Sequence, residues 1–364
     1  MSFSEADVQG ALKNLIDPNT RKDFVSGKSV KNIKINGNDV SLDIMLGYPA
    51  QSVWGEIQAT VVAHLKSVLP GIGNLSVKVS SKVVPHAVQR GAKLVDGVKN
   101  IIAIASGKGG VGKSTTAVNI ALALAAEGAR VGILDADIYG PSQPTMLGIS
   151  GQPKTTEDNF MIPMSNHGLQ AMSVGFLIAS DDTPMIWRGP MVTQALDQLL
   201  RQTRWDNLDY LVVDLPPGTG DIQLSLAQQV PVTGAVIVTT PQDIALMDAR
   251  KGLKMFEKVG VKIIGIVENM STHICSQCGH EEHIFGAGGG EKMCADYNTE
   301  FLGGLPLDIR IREQTDSGKP TVVADPDGNI AKEYKQIARR IAVKIAEMAQ
   351  THSAVFPKVV VQNT

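Results

Sequence analysis

Two short stretches of this 364-residue chain combine residue types and spacings that do chemistry. The first, residues 273–280, reads HICSQCGH: Cys275 and Cys278 stand two residues apart, flanked by histidines. Thiolates at this spacing suit a soft metal ion or a redox disulfide. A tetrahedral thiolate site takes four sulfurs, however, and the whole chain has three cysteines. The second stretch, residues 107–115, reads GKGGVGKST, after the apolar run NIIAIAS and before TTAVNIALALAAE. A glycine-rich turn between a strand and a helix lets backbone N–H groups converge on phosphate oxygens, and the helix N-terminus adds partial positive charge. Gly107, Gly109, Gly110, Val111 and Gly112 then form a phosphate cradle. Lys113 is expected to reach β- and γ-phosphates, Ser114 to ligate Mg²⁺ and Thr115 to contact the α-phosphate. A plain glycine-rich turn is the alternative; the strand–loop–helix context argues against it.

Three carboxylates belong with this loop. Asp135 and Asp137 close the run VGILDAD, and Asp214 closes YLVVD. Ligands of open α/β sheets bind beyond the carboxyl ends of strands, so all three acids should neighbour the nucleotide. Asp214 leads into LPPGTGD, where the Gly218 N–H is placed to donate to a γ-phosphate. Helix capping is the alternative role for each acid. Softer signals are Arg188 in WRGPM, which either starts a helix or lines an interaction face, and Cys294 in GGGEKMCADYN, which reads as a small buried hydrophobe.

The elements that must position these residues are legible in the hydrophobic pattern. NIIAIAS, VGILDAD, YLVVDLP, GAVIVTT and VKIIGIVEN are short, β-branched runs separated mostly by helical stretches. Near-continuous apolar strands alternating with helices indicate a mostly parallel, doubly wound sheet buried on both faces. A last helix over 330–348 carries Tyr334, Ile337, Ile341, Ile345 and Met348 on one face. The first eighty residues are a different unit. Ser4 and Asp7 form a helix N-cap and its N3 partner before Val8, Leu12, Leu15 and Ile16, and Asp17 with Pro18 stops the helix. SVKNIKI and VSLDIML flank Asn36 and Gly37 as a hairpin, and a helix over 51–69 and a strand over 75–80 follow, giving α-β-β-α-β. The expected division is a small α+β domain over 1–80, a polar linker over 81–99, an α/β domain over 100–350 and a tail over 351–364.

Composition narrows the function. Hydrophobic residues make up 43% of the chain, enough for a sizeable core. The net charge of −2 gives no electrostatic case for nucleic acid or an anionic membrane. No apolar run is long enough to span a bilayer, and the opening MSFSEADVQG is unlike a signal peptide. Three cysteines in a chain of this size fit a reducing, cytoplasmic compartment.

GKGGVGKST resembles the deviant phosphate loop of the MinD/ParA/nitrogenase-iron-protein class, in which an extra lysine reaches the partner subunit's nucleotide. That resemblance implies a P-loop ATPase working as a homodimer, with Lys108 as the trans-acting cation, Asp137 orienting the attacking water, Asp135 near Mg²⁺ and Asn269 contacting adenine. DADIYGPSQPTMLG, MIWRGPM and ENMSTHICSQCGHEEHIFG, together with DLPPGTGD, further resemble the Mrp/ApbC family of iron–sulfur cluster carrier ATPases from about residue 100 to at least 319. The N-terminal unit resembles the small iron–sulfur assembly domain often fused to bacterial members, although NTRKDFVSGKSV departs from its usual signature and the unit has no cysteine.

The resemblance implies ATP, Mg²⁺ and a 4Fe–4S cluster as cofactors, with apo iron–sulfur clients and an assembly scaffold as partners. A symmetric dimer supplies four thiolates where one chain supplies two. Zinc held by Cys275, Cys278 and two of His273, His280 and His283, a redox disulfide, or unligated cysteines are the other readings of the pair. A positioning or partition ATPase of the MinD/ParA type is the alternative function.

Overall fold

In the computed structural model of the protein, the structure describes residues 3–85, 94–177 and 189–355. Two compact units are present: residues 1–84 with 126–128, and residues 85–125 with 129–364.

The N-terminal unit contains α1 (Glu5–Leu12), β1 (Val30–Asn36), β2 (Asp39–Leu46), α2 (Trp54–Val68) and β3 (Leu75–Ser81). Ser4 and Asp7 form the expected capping box, which satisfies two N–H groups at the start of α1. The helix ends earlier than the spacing predicts, and Ile16 is exposed, in an isolated bridge to Asp23. Asn36 pairs with Asp39 across a two-residue turn in which Gly37 has φ +62°. That left-handed conformation is the reason for glycine there. β2 is central, antiparallel to β1 and parallel to β3. Its inward residues Val40, Leu42, Ile44 and Leu46 are buried together with Leu12, Val61 and Leu65 of the helices.

The larger unit runs β4 (Ile101–Ala105), α3 (Lys113–Ala126), β5 (Val131–Asp135), α4 (Gln143–Leu147), β6 (Met164–Asn166), β7 (Leu169–Ser173), α5 (Gly189–Arg201), β8 (Tyr210–Asp214), α6 (Asp221–Gln229) and β9 (Gly234–Thr239). It continues with α7 (Asp243–Lys258), β10 (Ile263–Glu268), β11 (His273–Ile274), β12 (Glu281–Glu282), α8 (Gly289–Tyr297), β13 (Phe301–Gly304), α9 (Ile309–Asp316), α10 (Thr321–Ala324) and α11 (Asn329–Val355). Eight strands form one sheet in the order β13-β10-β9-β4-β8-β5-β7-β6. Every pairing is parallel except that of the edge strand β6 with β7. β4, β5, β8 and β9 are buried along their whole length, as strands covered on both faces must be.

The chain adds β5, β7 and β8 to one side of β4, then β9, β10 and β13 to the other. The strand order therefore reverses about β4, and the phosphate loop leaves its carboxyl end at that point. β6, β7 and β13 lie outside the five runs that the sequence pattern marks. They are three to five residues long, and β13 ends in two glycines, so neither length nor periodicity signals them. Residues 94–99, expected in the linker, pack on the larger unit: Val95 is buried and Val98 bridges Leu208. The last helix continues into the expected tail as far as Val355. Residues 86–93 of the expected linker, residues 185–188 of MIWRGPM, including Arg188, and residues 356–364 of the tail lie outside the described residues. Pro190 sits in the first turn of α5, where its missing N–H costs no hydrogen bond.

Candidate functional site

β4 delivers the phosphate loop and α3 continues from it. The Ser106 hydroxyl donates to the Lys108 carbonyl at 2.9 Å, closing the first bend. Gly107 lies against α7, where a Cβ would stand 2.1 Å from the Asp248 carbonyl carbon. Gly112 has φ +79°, and a Cβ there would sit 2.2 Å from Asn269 Nδ2. That amide fills the space a side chain would take and donates to the Val111 carbonyl at 2.9 Å. Asn269, expected at the base of a nucleotide, thus braces the loop from below. Lys108 is half-buried and has no ion-pair partner among the described residues.

Two of the three acids, Asp214 and Asp137, converge on Lys113. The Lys113 ammonium is buried, 2.5 Å from Asp214 Oδ1, 3.0 Å from Ser114 Oγ and 4.0 Å from Asp137 Oδ2. Burial raises the Asp137 carboxyl above its ordinary range, against the pull of Lys113. Asp135 is fully buried, and both of its oxygens are occupied. Oδ1 accepts from the Asp137 N–H at 3.2 Å; Oδ2 accepts from the N–H groups of Ser142 and Gln143 and from the Ser173 hydroxyl at 3.0–3.1 Å. Burial and the neighbouring Asp214 carboxylate push Asp135 up to about 7. Its geometry is that of a group shaping the 137–143 loop. The Gly218 N–H, expected to face a γ-phosphate, donates to the Ser106 carbonyl at 3.0 Å. This ties the segment after β8 to the one after β4.

Gln143 is the residue that sequence reasoning missed. Its Nε2 donates to Asp214 Oδ2 at 2.9 Å and to the Ser114 carbonyl at 3.2 Å. Its Oε1 is buried with no hydrogen-bond partner. One glutamine inside GPSQP carries no local signal of such a contact. Ser114 Oγ, the Asp214 carboxylate and this orphaned carbonyl are all hard oxygen donors, the set that suits Mg²⁺.

β10 delivers Asn269 and then the cysteines. The chain is pinned by Ser271 N–H to Leu305 O at 3.0 Å and Leu307 N–H to Thr272 O at 2.7 Å. β11 and β12 pair as a minimal antiparallel hairpin. Within it the Cys275 N–H donates to His280 O, and the Gly279 N–H to Cys275 O, both at 2.9 Å. Backbone N–H groups of Cys278 and Gln277 face the Cys275 sulfur, and with the Cys278 thiol they lower the Cys275 pKa. Cys275 is half-buried, Cys278 exposed, and neither is in a disulfide.

His273 Nδ1 and His283 Nδ1 lie 2.9 and 2.8 Å from the Leu307 and Ser271 carbonyls, which only accept, so both nitrogens carry their proton and Nε2 is the ring atom left to ligate. Among the described residues, no group of three or more His, Cys, Asp or Glu converges as a metal site. Cys294 is buried in α8, and burial pushes its thiol up to about 12, as a packing cysteine requires.

Comparison with known proteins bears on the same residues. The family model described as NUBPL iron-transfer P-loop NTPase matches residues 97–342, and the iron-sulfur cluster assembly protein family model matches residues 5–79. An iron-sulfur cluster carrier protein of Pseudomonas fragi is 59% identical over 272 residues, covering 74% of this chain and 94% of that protein. The iron-sulfur cluster carrier protein of Escherichia coli (strain K12) is 50% identical over 341 residues, covering 93% of this chain and 92% of its own. A solved nucleotide-binding protein from Archaeoglobus fulgidus, in complex with ADP, superposes with a TM-score of 0.56 at 34% identity, covering 64% of this chain and 91% of that one. The phosphate loop, the acids around Lys113 and the cysteine hairpin all lie within one matched span, and the chain belongs to the NUBPL iron-transfer P-loop NTPase family.

Proposed function

We propose that two copies of this chain bind ATP face to face, hold one 4Fe–4S cluster between them, and pass it to apo-proteins. The observation that carries the reading is the cysteine hairpin. It presents two thiols at the surface, one with its thiolate favoured by backbone N–H groups, and among the described residues no third ligand gathers beside them. A second copy related by a two-fold axis completes a four-thiolate set for the cluster, which is cargo. The relatives' names, iron-sulfur cluster carrier protein, support the same reading.

In this reading ATP binds over residues 107–115, and Lys113 exchanges Asp214 for the β- and γ-phosphates. Ser114 and Asp214 would hold Mg²⁺, which when bound neutralises phosphate charge. Asp137, beside Lys113 and partly exposed, orients the attacking water. Lys108 serves the partner's nucleotide as an added cation. Asn269 connects the two chemistries, since it holds the phosphate loop and leads directly into the hairpin. Hydrolysis thereby changes the spacing of the two thiol pairs and so the grip on the cluster.

Residues 1–80, which lack cysteine, are assigned to partner recognition, with an assembly scaffold and client enzymes as candidates. The reading places the protein in the cytoplasm, and no described helix is long and apolar enough to cross a membrane.

Anaerobic reconstitution with iron and sulfide tests the proposal. About four irons per dimer are expected for a 4Fe–4S cubane, with loss of the cluster in Cys275→Ala and activation of an apo iron–sulfur enzyme by the loaded wild type. Stoichiometric metal in monomers, or no activation, overturns it.

A further inference from the structure

We propose that Gln143 is a positioning residue for the divalent cation of the nucleotide: its amide N–H groups hold Asp214 against the phosphate loop, and its Oε1 accepts from a water bound to that cation. The inference rests on the nucleotide-binding reading above and goes beyond it, since neither that reading nor the loop motif gives Gln143 a role.

Three observations carry it. Gln143 is only 1% exposed, although it is a polar residue at the start of a five-residue helix. Its backbone N–H is fixed by Asp135 at 3.1 Å, so its side chain starts from a defined place. Its Nε2 then spans two groups on different elements, the Ser114 carbonyl in the first turn of α3 and Asp214 Oδ2 at the end of β8. Both hydrogens are therefore used on acceptors, and this fixes which end of the amide is oxygen.

The remaining atom, Oε1, is buried and unpartnered. A buried carbonyl left without a donor is costly, and native structures retain one where a ligand or water supplies the missing hydrogen. The nitrogen of the same amide bonds the Ser114 carbonyl and Asp214 Oδ2, on the two residues assigned to the cation. Mg²⁺ keeps several of its waters when protein-bound, and each such water is a strong donor. A carbonyl on this site completes an outer shell, which orients groups that bind the metal directly.

The test measures binding as well as turnover. Mn²⁺ in complex with ADP is titrated into wild type and Gln143→Met and followed by electron paramagnetic resonance. ADP alone, with EDTA, is titrated by calorimetry. Met keeps the length of glutamine but removes the amide. The expected result is a roughly tenfold loss of Mn²⁺·ADP affinity in Gln143→Met with metal-free ADP affinity within about twofold of wild type. Equal losses with and without metal, or no loss, overturn the proposal. Failure of the wild type to bind ADP in either form would instead remove the nucleotide reading on which it rests. Circular dichroism identifies a misfolded variant, in which case Gln143→Asn, which keeps the amide on a shorter arm, takes the place of Met; its metal-dependent loss is expected to be of similar size, and no loss overturns the proposal.

Discussion

Asn269 holds Val111: the side-chain amide donates to the carbonyl in the phosphate loop at 2.9 Å, beneath a glycine that has no Cβ to block it. Beyond Asn269 the same segment runs through Ser271 and Thr272, pinned to Leu305 and Leu307, into the hairpin of Cys275. A displacement of the loop by nucleotide has a short, hydrogen-bonded route to the thiols.

Asn269→Ala tests that route. The variant is expected to bind iron like the wild type, because the cysteines are untouched. The change in cluster release rate on adding ATP should fall by about fivefold or more, a coupling of roughly 1 kcal/mol. Stopped-flow absorbance of release to an apo acceptor, with and without ATP, gives the ratio; an unchanged ratio rules the route out.

Lys113 and Asp214 form a buried ion pair, and removing one partner strands the other. Lys113→Ala is expected to lower ATP turnover by about a hundredfold or more, and to destabilise the nucleotide-free protein by about 3 kcal/mol in urea unfolding. Asp137→Ala should lower turnover on a similar scale with a smaller stability change, since Asp137 is partly exposed and 4.0 Å from the ammonium. Wild-type-like turnover in both variants would remove the hydrolytic assignment.

Lys108 is expected to act across the dimer, and mixed dimers separate this from action within one chain. In a Lys108→Ala/Lys113→Ala heterodimer, a trans-acting lysine leaves one complete site and one lacking both lysines. Random mixing of the two inactive variants should then restore about a quarter of wild-type turnover. No recovery above the unmixed variants would mean that Lys108 works in its own subunit.

The thiols should separate by pH. N–H groups aimed at a sulfur favour the thiolate, so Cys275 ionises at lower pH than an ordinary cysteine. In metal-free protein, Cys275 should be the first cysteine alkylated by iodoacetamide as pH rises from 6. Cys294, buried with its pKa raised to about 12, should be the last. Peptide mapping of the modified sites reads the order, and early labelling of Cys294 would contradict the packing.

Much of the architecture was legible because it is local. The strand before GKGGVGKST and the helix after it, the capping box at Ser4 and Asp7, and the turn at Gly37 all follow from neighbouring residues. The five apolar runs announced a parallel sheet because burial on both faces leaves no polar alternation. Ile16 and the short strands β7 and β13 were not legible. Sheet pairing with distant partners decides the strands, and four or five residues hold too little pattern to show it, whereas Ile16 bridges Asp23 after the helix has already ended at Leu12.

At the site, the sequence by itself determined the chemistry on offer: a phosphate loop with lysines at 108 and 113, acids at strand ends, and a pair of thiols short of a full ligand set. Only the tertiary structure decided who holds whom. It tied Asp135 to the loop that follows it and Gly218 to Ser106, set Asn269 beneath Val111, bonded His273 and His283 through Nδ1 to the Leu307 and Ser271 carbonyls, and brought Gln143 between Ser114 and Asp214. The physical reason is that residue type and local spacing state what a side chain can donate or accept. Which partner lies within 3 Å is set by crossovers between strands far apart in sequence.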